Sequence, residues 1–90
     1  MQPVYIFENV REAEWWTRRR PQWKCCSWWN VTGQRSDRIV VVKPMDCHGH
    51  EFILRFHRVI ANARVRLVPG GRLLVVDWRG VPEECFRNKP

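Results

Sequence analysis

Residues 52–67, FILRFHRVIANARVRL, divide into one apolar face and one arginine face, which restricts the stretch to a helix packed on something larger. At the helical period Phe52, Ile53, Phe56, Val59, Ile60, Ala63 and Leu67 share an arc of about 120°. Arg55, Arg58, Asn62 and Arg66 fall together on the far side. Pro69-Gly70-Gly71 follows, where a helix should stop. Arg64 to Val68 could also be a strand, pairing with 72–78 around the Pro-Gly-Gly. Ala63 and Leu67 continue the apolar face, which favours helix.

The remaining elements arrange themselves around that helix. Pro3 to Phe7 predicts a short strand of good strand formers. A first helix follows from about Arg11 to Arg20, with Glu12 and Glu14 early, three arginines late and Pro21 beyond it, as the helix dipole prefers. Trp23 to Val31 predicts a second strand, and Arg38 to Lys43 a third whose centre is apolar on both faces. Arg72 to Trp78 is the last, again apolar on both faces through Leu73 to Val76. Strand, helix, strand, strand, helix, strand predicts an α+β domain, the ferredoxin-like βαββαβ arrangement with both helices on one face of a four-stranded antiparallel sheet. Residues 1–80 would form the domain and 81–90 an irregular tail. Two helices on one face would leave an apolar sheet face uncovered, to meet a second subunit, another protein or stacked bases.

Ninety residues bound this to one domain, and 44% hydrophobic with 28% charged residues is the balance of a folded chain. Sixteen Lys and Arg against nine acids give +7, and thirteen of the sixteen are Arg. Arginine grips phosphates and carboxylates in a bidentate fork and stacks on rings, so an acidic or phosphate-bearing partner is expected. No stretch approaches the ~20 apolar residues of a membrane span, and the first residues lack the pattern of a signal peptide. That predicts a cytoplasmic protein whose Cys25, Cys26, Cys47 and Cys85 are buried thiols.

Val4-Tyr5-Ile6-Phe7-Glu8-Asn9-Val10 resembles the first-strand motif of the RNA-recognition motif family, which implies aromatic side chains on the third strand for stacking on RNA. Arg38 to Lys43 carries none. Ser36 to Val41, the long helix, and Leu67-Val68-Pro69-Gly70-Gly71-Arg72-Leu73-Leu74-Val75-Val76-Asp77 look like the later half of the class I S-adenosylmethionine methyltransferases. That resemblance implies a methyltransferase-like fragment, yet no glycine-rich loop follows the first strand to hold the cofactor.

Cys47, His48 and His50, with Cys25, Cys26 and Cys85, invite a metal, but no pair has C-x-x-C spacing, and adjacent Cys25 and Cys26 point to opposite faces of a strand. Asp37, Asp46 and Asp77 stand apart, and Cys47 with His48 or His50 could be drawn as nucleophile and base, but neighbours in sequence rarely meet that geometry. Neither metal, cofactor nor catalysis is expected. Five of six tryptophans lie between positions 15 and 29, among arginines. Rings with cations are what single-stranded nucleic acid needs: π-faces for bases, positive charge for phosphates. The sequence therefore predicts a small basic binding protein contacting nucleic acid or a nucleic-acid-handling complex. Its candidate site residues are Arg18, Arg19, Arg20, Trp23, Lys24, Trp28, Trp29, Arg55, Arg58, Arg66 and Arg72. The alternative is a protein–protein adaptor or inhibitor, of the accessory kind that viruses and mobile elements encode, docking through the apolar sheet face on a partner or as a homodimer.

Overall fold

The structure, a computed structural model, describes residues 1–31, 33–45 and 49–90. The chain runs β1 (Val4–Phe7), α1 (Val10–Arg19), β2 (Lys24–Ser27), a 3-10 turn (Trp28–Asn30), β3 (Ser36–Val42), α2 (His50–Val65), β4 (Leu67–Val76) and β5 (Pro82–Arg87). The five strands form one sheet in the order β2-β1-β3-β4-β5. Every neighbouring pair is parallel except β4 with β5.

One small α+β domain with two helices is therefore present, but not a four-stranded antiparallel sheet with both helices on one side. Alternation along β1 separates the layers. Val4 and Ile6 join the α2 core with Ile39, Val41, Leu73 and Val75. Phe7 points the other way, where its ring stacks near Trp16 of α1. The helices thus lie on opposite faces. Strands apolar on both sides are the mark of a parallel sheet covered on both sides, which is the physical reason for the correction.

Three local differences produce this outcome. The strand expected from Trp23 to Val31 stops at Ser27, and the 3-10 turn drops Trp28 (4% exposed) into the α2 core against Phe52 and Phe56. Helix α2 ends at Val65, so Leu67 and Val68 open β4, and Ile53 at the edge of the apolar arc is exposed. Pro82–Arg87, expected to be irregular, completes the sheet as β5. An Asp77 turn holds that hairpin: its carboxylate accepts from the N–H groups of Arg79 (2.8 Å) and Val81 (2.9 Å) and from the Arg79 guanidinium at 2.6 Å.

Helix α2 seals its face: Phe52, Val59, Ile60 and Ala63 are all buried. Helix α1 has Ala13 as its buried residue and packs mainly on β1 and β2. Val40, Val42 and Leu74 are left half-buried on the floor of an open cavity of about 670 Å³. The uncovered apolar face expected from the sequence exists, although on half the sheet and for a different topological reason.

Candidate nucleic-acid interface

Parallel strands and antiparallel helices sort the charges along the strand axis. Strands β2 and β3 begin, and both helices end, at one edge of the sheet, called here the amino edge. Arg18, Arg19 and Arg20 arrive there at the end of α1, and Arg64 and Arg66 at the end of α2. Lys24 opens β2, and Arg35 and Arg38 flank the start of β3. The backbone confirms the placement: Ser36 N–H donates to the Arg66 carbonyl at 3.0 Å. Among the described residues, Asp37 is the carboxylate at this edge. Glu8, Glu12, Glu51 and Asp77 gather at the opposite edge, where α1 and α2 begin and β4 ends.

Within the amino edge, Arg38, Arg72 and Arg87 are in register on three adjacent strands and all exposed. Strands lie about 4.8 Å apart, so the three guanidinium stems stand side by side. Like charges directly opposite each other destabilise a sheet. Among the described residues none of the three guanidinium groups has an ion-pair partner, since the salt bridges of the described residues are Lys43–Glu83 (2.7 Å) and Arg79–Asp77 (2.6 Å). The sheet is left carrying a repulsion that an anion would relieve.

The indoles divide between two places. On the α1 side Tyr5 and Trp23 stack at 3.8 Å, Trp16 lies 5.5 Å from Trp23, and Arg20 sits 5.6 Å and 5.7 Å from the two indoles. These rings wall the open cavity over Val40, Val42, Leu74 and Val76. The Arg19 guanidinium carbon lies over the Trp15 ring, 3.4 Å from its centroid. On the α2 side Trp29 is 69% exposed, with Arg55 at 5.9 Å from its ring. Trp28, Trp29, Arg55, Arg58, Val59 and Asn62 line a cleft of about 160 Å³ there.

Most of the expected residues form one band around the β2 edge. From the Trp29 cleft, Arg55, Arg58 and Asn62 lead along α2 to Arg66, which shares a crevice with Lys24, and beyond Lys24 lie Trp23 and Arg20. Arg72 stands apart on the open face, in the row with Arg38 and Arg87 that the sequence did not single out. Trp28 is a core residue and is corrected to that role, its buried Nε1–H without an acceptor among the described residues. Arg66 is half-buried and tethered, donating to the Asn62 carbonyl at 2.8 Å. Register alone could have revealed the row, and register depends on the pairing that the sequence misassigned.

Comparisons with protein-family models, curated proteins and solved structures find no match to this chain.

Two thiols sit beside this band. Burial pushes Cys25 up, against a hydrogen bond with Thr17, and burial pushes Cys26 up despite Lys24 and Arg66. A thiol held protonated is a poor nucleophile. Among the described residues no group of His, Cys, Asp and Glu is placed to hold a metal. The expected metal candidates Cys47 and His48, with Asp46, lie outside the described residues. At the opposite edge burial, then the nearby Glu8, raises Glu12. Burial acts to raise Asp77 too, but the hydrogen bonds from Val81 and Arg79 outweigh it and hold it low. No helix among the described residues is long and apolar enough to cross a membrane.

Proposed function

We propose that this protein is a non-enzymatic binder of nucleic acid, holding the phosphate backbone along its amino edge. The observation that carries this is the segregation of arginine, above all the unpartnered row Arg38, Arg72 and Arg87. A repeating anion is the partner that matches regularly spaced, uncompensated guanidiniums, and phosphates give arginine the bidentate contact it favours. Indoles next to these cations favour unpaired strands, whose bases can stack on a ring.

The test is a titration of a labelled single-stranded oligonucleotide at two salt concentrations. Each phosphate neutralised releases counterions, so affinity falls steeply as salt rises. Absence of binding at low salt rejects this function.

The open sheet face favours a second function, docking on a protein partner. Met45 and Trp78, 62% and 52% exposed, rim a floor of Val40, Val42, Leu74 and Val76 that has no polar group to read a base. Light scattering separates the two. A dimer abolished by Leu74→Lys supports docking on a second copy, whereas a monomer unaffected by Leu74→Lys removes that homodimer.

A further inference from the structure

The Trp29 cleft is small, lies on the α2 side away from the open face, and is built differently from the arginine edge. Its size is below the roughly 300–1,000 Å³ that holds a drug-sized ligand, so it suits one ring system. The 3-10 turn sends consecutive indoles in opposite directions. Trp28 packs in the core against Phe52 and Phe56, and its neighbour Trp29 stands out into solvent from that anchored turn. Large exposed aromatics on rigid supports suit stacking, because little conformational freedom is lost when a ring lands on them.

The groups around the platform are complementary to a nucleotide. Arg55 flanks the ring and Arg58 lies one turn of α2 away from it on the same side. The one carboxylate in α2 is Glu51, in its first turn. The Asn62 side-chain amide lines the cleft with no partner among the described residues, free both to donate and to accept. Trp28 also lines the cleft, and its Nε1–H is buried without an acceptor among the described residues. A nucleotide offers the flat face, the carbonyl or ring-nitrogen acceptors and the phosphate that these groups would contact.

We infer that the Trp29 cleft takes one unstacked nucleobase together with its phosphate, the base lying on Trp29 and the phosphate between Arg55 and Arg58. This rests on the nucleic-acid function proposed above and adds that the strand must be single, since a base within a duplex is stacked on both faces. The same chemistry could come from a free nucleotide or from one residue of a strand.

The experiment uses three probes: a ten-nucleotide oligodeoxythymidine, a duplex of the same length, and thymidine monophosphate. Each is titrated against wild type, Trp29→Ala, Trp29→Phe and Arg58→Ala, following anisotropy and tryptophan emission. Trp29 is exposed, so its variants keep the fold, and thermal melting verifies that. Trp29→Ala should weaken single-strand binding about five- to hundredfold, the loss of one stacked base. Trp29→Phe should restore much of it, and duplex binding should not respond to either change. Oligonucleotide binding far tighter than the monophosphate identifies a strand as the source; equal affinities, both lost in Trp29→Ala, identify the free nucleotide. Single-strand binding indifferent to Trp29→Ala overturns the inference and leaves the nucleic-acid function standing. No binding of any probe by wild type at low salt overturns both.

Discussion

Trp28 and Trp29 are neighbours of the same type with opposite roles, and the difference is one of burial. Trp28→Ala removes a ring packed on two phenylalanines and should cost about 3–5 kcal/mol in urea unfolding. Trp29→Ala should stay within about 0.5 kcal/mol, as exposed positions do. Equal costs would contradict the placement of these two rings. Two carboxyl groups make a second contrast, with opposite dependence on pH. Asp77 is held below its ordinary range by the hydrogen bonds that outweigh its burial. Its contribution is complete above the unfolded value of about 3.9 and is lost as pH falls through the lower folded value. Asp77→Asn should therefore lower the melting temperature at neutral pH and flatten the decline in acid. Glu12 is raised, by burial and then by Glu8, so the fold prefers its neutral form. That preference is complete below the unfolded value of about 4.3 and is lost as pH climbs through the folded one. Glu12→Gln should be neutral in acid and stabilising near pH 7. Melting curves from pH 3 to 8 for the two variants check both signs.

Among the elements, β4 shows how much the sequence exposed and how much it concealed. The amphipathic period of α2 was legible residue by residue, because Phe52, Val59, Ile60 and Ala63 had to face a core wherever that core lay. The strands at Val4–Phe7, Ile39–Val42 and Leu73–Val76 were legible for the same reason. Their direction was not, because β-propensity is the same for parallel and antiparallel neighbours. The fact that could have decided it was visible: β3 and β4 are apolar on both faces, as a sheet with helices on both sides requires. Of the site, the arginine face of α2 and Trp29 could be read from period and composition, while the row through Arg38, Arg72 and Arg87 needed the register. Pro-Gly-Gly, read as a helix stop, lies inside β4, where Gly71 packs against β3. A Cβ there would come within 3.0 Å of the Asp37 and Val68 carbonyl oxygens and 2.9 Å of Leu67 Cδ1. Backbone cannot yield as a side chain tip can, so Gly71→Ala should destabilise by about 1–3 kcal/mol. Urea denaturation measures this, and an unchanged midpoint would mean that β3 and β4 approach less closely at Gly71.

At the scale of the molecule, topology converts a modest excess of arginine into a polarised object. Both helices run back against the sheet, so their basic last turns meet the starts of β2 and β3 at one edge, while acidic first turns meet the other. A +7 chain with mixed charges would attract polyanions weakly and from all sides; this one gathers most of its arginines at one edge. The open cavity, with its aromatic wall, extends across the sheet to the acidic edge and adds the apolar surface that α1 is too short to cover. The most direct test is the slope of log affinity against log salt for a single-stranded oligonucleotide, measured for wild type and for the triple variant Arg38→Ala, Arg72→Ala, Arg87→Ala. Each phosphate contact on a single strand contributes about −0.7 to that slope, so the triple variant should be shallower by about 2. A wild type that binds no strand at low salt, or a triple variant with the wild-type slope, would contradict the account.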